Sequence, residues 1–474
     1  MAKKLIARIS SVSAGAKSSF ALFFANVVTT GIAYITTPIF TRLLSVAEYG
    51  QVSLFLTWQQ LIGIVAMFSL SAGVFNNGMV DYPEDRSKFS FSLLILSNVI
   101  TFIVSILLFI FYPLIDQYLG FDIPLLILMM VMFLVQPAYN FWTSRQKYEL
   151  KYKKTVLWSI ICAVISPIVA IVCLVLPNNN HLYSRLFGSL LPLIIIYAGF
   201  YLYLARQSNF KIDFSYWKFA FLFNLPLIPH YLSVYILSSS DRLMIAHYVG
   251  EEATAFYSVA HSVGVVAMIL WSAVNASLIP YTYENCKRGN YSAISKVTIP
   301  ILFVISLVCL LVILLAPECV SIMATKEYME AIYVIPPIVG SVFFQCLYFV
   351  FANILYYYKK PAYVMLASLS ATGINIVLNM IFIPKYGYLA AGYTTLVSYA
   401  IQAIIDFILL KRVITRRIYD MRLICAMACV VVVIAVTSNM LYGYDGIRYT
   451  ILAIVSLFLC IHRIRILSLL TIKK

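Results

Sequence analysis

The sequence predicts an all-α integral membrane protein of about 14 transmembrane helices, arranged as two parallel six-helix repeats plus two C-terminal helices. Four observations lead there. Hydrophobic residues make up 62% of the 474-residue chain and charged residues 11%, and the mean hydropathy is +0.93, a balance foreign to ordinary soluble domains. The apolar residues come in runs of about 20, enough for a helix to cross the hydrocarbon core. Lysine and arginine collect in alternate loops, and one motif recurs about 200 positions later.

The first six expected spans cover roughly 18–40, 52–76, 89–112, 123–142, 155–176 and 182–204. The next six cover roughly 217–240, 254–281, 297–316, 331–357, 362–383 and 389–410, and the last two roughly 423–441 and 447–468. Pro38, Pro167, Pro192, Pro226, Pro229, Pro336 and Pro337 fall inside these runs. Each removes a backbone donor and marks an expected kink. Ahead of the first span, Met1–Lys17 interleaves Lys3, Lys4, Arg8 and Lys17 with Leu5, Ile6, Ile9 and Val12. That pattern is a basic, weakly amphipathic lead-in at the membrane surface, not a cleavable signal.

Orientation follows from the basic residues. With the N-terminus in the cytoplasm, all but six of the 34 lysines and arginines fall on inside segments. The exceptions are Arg42, Arg185, Arg242, Lys326, Lys385 and Arg448. Both termini are therefore expected inside. The net charge of +16 is a topology signal, and no nucleic-acid partner is expected.

The repeat supports the same plan. Arg242-Leu243-Met244 echoes Arg42-Leu43-Leu44, and Gly250 echoes Gly50, each copy bridging two long apolar runs. An even number of spans per repeat gives both halves one orientation. The expected divisions are 1–210 (helices 1–6), 211–420 (helices 7–12) and 421–474 (two added helices). No loop exceeds roughly 20 residues, too short for a separate soluble domain. The nine cysteines sit mostly inside apolar runs without a CxxC, which favours buried small side chains over a metal or a disulfide.

The stretch Arg42-Leu43-Leu44-Ser45-Val46-Ala47-Glu48-Tyr49-Gly50 resembles the motif after the first helix of bacterial oligosaccharide flippases. These are the O-antigen and capsule translocases of the multidrug/oligosaccharidyl-lipid/polysaccharide exporter superfamily. Asp241-Arg242, with Gly250 and Phe256-Tyr257-Ser258, is similar to the matching motif after the seventh helix. Ser45 and Ala255 stand where the family usually has glycine. The resemblance implies two six-helix lobes around a central cavity. It also implies translocation of an undecaprenyl-diphosphate-linked oligosaccharide by alternating access, in the bacterial cytoplasmic membrane, for O-antigen, capsule or exopolysaccharide synthesis. The expected partners are that lipid-linked oligosaccharide, membrane lipids, and polymerase and chain-length proteins of the same pathway, with the chain itself monomeric.

Carrying an anionic diphosphate through lipid calls for cations facing a polar path, because an ionised residue inside a span usually faces a cavity or a partner. Arg42 and Arg242 are the repeat-related candidates; snorkelling to the outer headgroups is the alternative. Glu48 and Asp241 are their candidate counter-charges or coupling groups, and Asp241 could simply pair with Arg242. In Asn224-Leu225-Pro226-Leu227-Ile228-Pro229-His230, two prolines and a histidine suggest a bent helix lining a polar interior. Asn224 and His230 are therefore substrate candidates, with His261 a weaker one; all three could equally be bonded to neighbouring helices. Asn26, Gln59, Gln60, Asn76, Asn98, Asn275, Gln345, Asn353, Asn375 and Asn379 face the same choice between sugar and helix glue. Asp406 is a candidate proton or sodium site, against an ion pair with Lys411 or Arg412. Arg145 and Lys147, in a basic cluster with Lys151, Lys153 and Lys154, could gather diphosphate headgroups or contact anionic lipid.

No GxSxG, HExxH or P-loop occurs. The expectation is a transporter rather than an enzyme, without a metal or cofactor, with a proton gradient, a sodium gradient or the membrane potential as the candidate energy sources. A multidrug cation exporter of the same fold is the nearest rival, and a membrane glycan polymerase or ligase the more distant one.

Overall fold

The computed structural model describes residues 14–71, 73–149, 151–177 and 180–462. Lys3, Lys4 and Arg8 of the basic lead-in, and the terminal cations Arg463, Arg465, Lys473 and Lys474, lie outside the described residues. Among the described residues every regular element is a helix, and eleven helices are long and apolar enough to cross a membrane. Ala14–Leu43, Val46–Ala66 and Asp445–Ile461 stand at three further expected spans but are not among the eleven. By contacts the chain divides into two compact units between Leu232 and Ser233.

The first unit holds α1 (Ala14–Leu43), α2 (Val46–Ala66), α3 (Val74–Asp81), α4 (Arg86–Leu119), α5 (Ile123–Tyr148), α6 (Tyr152–Val175), α7 (His181–Gln207) and α8 (Phe214–Asn224). Ser45 explains the break between α1 and α2. Its side chain accepts from the Glu48 amide at 3.3 Å, and Glu48 Oε2 accepts from the Ser45 amide at 2.8 Å, closing a capping box. One core joins Phe40, Phe55, Met129, Phe133 and Leu186; a second gathers Phe75, Phe89, Phe141, Trp142 and Phe200.

The expected span 52–76 is not one helix. α2 stops at Ala66, and Phe68 (φ 54°) and Ser69 (φ 43°) adopt left-handed backbone before α3 begins. Such residues cost about 1–2 kcal/mol each, and carbonyls freed inside a membrane need new donors. The donors are present. Thr101 Oγ1 donates to the Ala66 carbonyl at 2.9 Å, Ser97 Oγ to Met67 at 3.4 Å, and Asn224 Nδ2 to Phe68.

The second unit is built from α9 (Ile228–Tyr248, which straddles the division), α10 (Glu251–Lys287), α11 (Tyr291–Leu314), α12 (Ala316–Met323), α13 (Ile335–Tyr357), α14 (Pro361–Tyr386), α15 (Tyr388–Val413), α16 (Met421–Thr437) and α17 (Asp445–Ile461). Its centre is α13, packed chiefly on α15 and α10. Of its most apolar 18-residue window, 83% is buried, against 11% for α6. Pro336 and Pro337, expected as kinks, sit in the first turn of α13, where a missing amide proton leaves no bond unmade. Pro226 behaves as expected, in a 3₁₀ turn at Leu225–Leu227 between α8 and α9.

The two copies of the repeat differ locally. Arg42 is in the last turn of α1, whereas Arg242 lies well inside α9, which runs on to Tyr248. Gly50 is buried within α2. Gly250 instead precedes α10 at φ 122°, with open space where a Cβ would stand, so backbone conformation alone calls for glycine there.

Candidate functional site

The polarity of the second unit is concentrated around one carboxylate. Asp241 closes the run Ser238-Ser239-Ser240 on α9 and is 1% exposed. Its Oδ1 accepts from Asn379 Nδ2 of α14 at 2.6 Å, and its Oδ2 accepts from Thr395 Oγ1 of α15 at 2.6 Å and from the Tyr257 hydroxyl of α10. Four helices thus meet at one side chain. Asn375 and Asn379, one turn apart on α14, extend the cluster. Asn379 Nδ2 also reaches Asn375 Oδ1 at 3.2 Å, Thr394 Oγ1 donates to Asn379 Oδ1, and Asn375 Nδ2 donates to Thr395 Oγ1 at 3.4 Å. Every one of these residues is buried. The donors are neutral, and no ion pair joins Asp241 to Arg242 among the described residues. The bonds that hold the carboxylate in the apolar interior are therefore all hydrogen bonds.

Beside the hub lies a cavity of about 140 Å³, walled by Tyr257 and Thr395 together with Ser238, His261, Gln345 and Tyr399. The structure thereby brings His261 to the neighbourhood of Asp241, its ring 6.5 Å from that of Tyr257. A side chain that bonds Asp241 thus also faces open space.

The other predicted residues are dispersed. In the first unit Arg42 is exposed and donates to the Pro38 carbonyl at 2.6 Å. Glu48 is engaged by the Ser45 cap, with His181 Nδ1 at 3.4 Å from its Oε1, and no ion pair joins it to Arg42 among the described residues. Asn224 is fully buried and spends its amide on the Phe68 carbonyl. The close approach this needs is allowed by Gly73, where a Cβ would stand 3.2 Å from Asn224 Oδ1. His230 is half-buried on α9. Arg145 and Lys147 part company. Arg145 is gripped by Glu149 at 2.5 Å and Gln207 at 2.8 Å and lines a 360 Å³ cavity with Trp142, Trp158 and Lys154, while Lys147 is exposed.

Asp406 does not pair with Lys411 or Arg412. It is 0% exposed, and neither carboxyl oxygen has a hydrogen-bond partner. The Lys411 ammonium lies 4.6 Å over the Phe407 ring instead. One turn before Asp406, Gln402 Nε2 donates to Ser368 Oγ at 3.1 Å and leaves its Oε1 buried and unpartnered. Sequence reasoning met Tyr257 only within the Phe256-Tyr257-Ser258 motif, did not single out Thr394 or Thr395, and treated Asn375 and Asn379 only as generic amides. The i, i+4 asparagine pair in an apolar run was the available signal.

The polysaccharide biosynthesis protein family model matches residues 16–286, more than half of the chain. The chain belongs to that family. A second model, MatE, matches residues 226–381 and so spans Asp241, Tyr257, Asn375 and Asn379. A probable low-salt glycan biosynthesis flippase of Haloferax volcanii, Agl15, is 22% identical over 401 residues, covering 82% of each chain. The Lsg locus putative protein 1 of Haemophilus influenzae is 25% identical over 213 residues, 42% of this chain and 51% of that protein. Among solved structures, the lipid II flippase MurJ in its inward closed conformation superposes with TM-score 0.65 at 16% identity, covering 95% of this chain and 99% of that one. An inward-facing multidrug MATE transporter gives TM-score 0.61 at 14% identity over 83% and 98%. Family and fold agree with the resemblance of the Arg42–Gly50 motif. The chain is a multi-pass membrane protein of the multidrug/oligosaccharidyl-lipid/polysaccharide exporter superfamily.

Proposed function

We propose that this protein flips an undecaprenyl-diphosphate-linked oligosaccharide from the cytoplasmic to the outer leaflet of the cytoplasmic membrane by alternating access, without catalysing a covalent step. The family match carries this reading, and the flippase name of the archaeal relative, which matches over most of both chains, supports it. The Asp241 hub is the coupling element we favour. Its oxygens, together with those of Asn375, Asn379, Thr394 and Thr395, are all hard ligands suited to a proton or a sodium ion. Arg42 and Arg242 remain the cations we assign to the diphosphate, and His230, His261 and Asn224 the secondary candidates along the path. Asp406 is the second coupling candidate. Polymerase and chain-length proteins would receive the flipped units.

A multidrug cation exporter is the second reading, favoured by the MatE match and by two buried carboxylates, Asp241 and Asp406. Deleting the gene and assigning lipid-linked repeat units to a leaflet separates the readings. The flippase reading predicts units trapped on the cytoplasmic face. Units that face outward but stay unpolymerised would point to a polymerase, and unaltered units with new sensitivity to organic cations would point to the exporter.

A further inference from the structure

We propose that the groove where α11, α15 and α16 meet is a binding site for the phosphate headgroup of an anionic membrane lipid. The groove holds about 1110 Å³. Lys296 of α11, Lys411 in the last turn of α15, Arg416 and Arg417 of the connecting loop, and Arg422 in the first turn of α16 all line it. None of the five is in an ion pair with a carboxylate among the described residues. The groove's acidic residue, Asp420, caps α16 instead, its Oδ1 accepting from the Arg422 amide at 3.1 Å.

The unit-1 cavity makes the contrast. There Glu149 neutralises both Arg145, at 2.5 Å, and Lys151, at 2.7 Å. In the α11–α15–α16 groove five cations face one carboxylate, Asp420, and none is ion-paired with it, which leaves an excess of positive charge for an anion from outside the chain. Its source follows from depth and from the walls. Lys411 and Arg422 mark where two apolar helices end, the level at which lipid phosphates lie, and basic pockets between helices at that level bind multi-phosphate headgroups. Leu410, Ile414 and Ile418 supply apolar wall beneath the charges, which suits an amphiphile better than a free anion. The inference goes beyond transport and holds whether or not the chain is a flippase.

Charge on this side of a membrane protein has a simpler origin in topology, and the test is built to separate the two. The full-length protein is purified, exchanged into diphosphatidylglycerol, phosphatidylglycerol or phosphatidylcholine, and weighed by native mass spectrometry with retained lipid counted. An Arg416→Gln/Arg417→Gln/Arg422→Gln protein is compared with a Lys359→Gln/Lys360→Gln protein, whose changes remove cations from the loop between α13 and α14, expected on the same membrane face. Size-exclusion profiles verify that both fold, and Lys296→Gln serves if the triple variant does not. The proposal predicts at least a tenfold loss of retained diphosphatidylglycerol in the groove variant, wild-type retention in the loop variant, and little phosphatidylcholine on either. Equal losses in both variants would overturn it, as would unchanged retention in the groove variant. Thermal stabilisation by sodium pyrophosphate with no retention of anionic lipid would assign the groove to a soluble phosphate and overturn the lipid reading.

Discussion

Replacing Asp241 by asparagine and by alanine measures how the hub is held. The carboxyl oxygens of Asp241 accept three hydrogen bonds, from Asn379, Thr395 and Tyr257. Interhelical side-chain bonds in membranes are worth about 0.6–1.7 kcal/mol each. Asp241→Ala, which strands all three donors in a buried site, should therefore cost about 2–5 kcal/mol. Asp241→Asn keeps the shape but turns an NH₂ toward one existing donor. If the asparagine oxygen replaces Oδ2, its amide faces Asn379 Nδ2. A flip of Asn379 would take its Nδ2 from Asn375 Oδ1 and set two amide oxygens against each other. That substitution should cost about 1–2 kcal/mol, close to one lost bond. Equilibrium unfolding in mixed micelles, followed by helical circular dichroism against the fraction of denaturing detergent, reads both values. An asparagine variant as stable as wild type, with alanine within about 0.5 kcal/mol of it, would refute the acceptor-only description.

Other expectations follow from separate places in the fold. At Gly188 of α7 a Cβ would lie 2.7 Å from the Ala170 Cα of α6. Gly188→Val should therefore force the helices apart and cost about 1–3 kcal/mol. Ala170→Gly should give no rescue, because the clash is with backbone; rescue in the same unfolding assay would contradict this. Asp213, just ahead of α8, pairs with Lys88 at 2.6 Å. Its carboxyl is held down to about 2, first by the Lys88 bond and then by Ser215. A depressed acid stabilises the fold above its unfolded value near 3.9 and loses that contribution as pH falls toward 2. The melting-temperature gap between wild type and Asp213→Asn should thus close between about pH 4 and pH 2; a gap independent of pH would exclude the pair as its source. Arg42→Ala and Arg242→Ala should each stop export at unchanged protein level. Full export in both, assayed by surface polysaccharide, would remove the arginines from the path.

The all-helical composition was legible, because the bilayer imposes run length and loop charge on the sequence itself, and eleven helices long and apolar enough to cross a membrane stand among the described residues, against the fourteen expected. What hydropathy does not encode is backbone conformation inside an apolar run. Met67–Leu70 is as hydrophobic as its flanks, yet Phe68 and Ser69 turn left-handed there. The donors that make this tolerable come from Ser97, Thr101 and Asn224 on other helices. That also gives Asn224, a cavity candidate by sequence, a structural task. The hub shows the same limit. Asp241 was visible as a charge at the end of a run, but its partners lie 16, 138 and 154 positions away, distances that no local pattern spans. For Asp406 it was the alternative of a local ion pair that failed, for the converse reason. Lys411 and Arg412 are close in sequence, but Lys411 stacks on Phe407 and leaves the carboxylate alone. The Ser45–Glu48 capping box was fully local, and it gives Glu48 a structural task.

Translocation by the purified protein tests the central claim most directly. The protein is reconstituted into liposomes that carry a fluorescent undecaprenyl-diphosphate oligosaccharide in both leaflets. A membrane-impermeant glycosidase then trims only outward-facing sugar. The account predicts that the protected half of the glycan becomes cleavable over time in liposomes containing the wild-type protein, and much more slowly in those containing Asp241→Asn. A protected fraction that stays constant at all protein densities, with the wild-type protein verifiably folded and inserted, would contradict it.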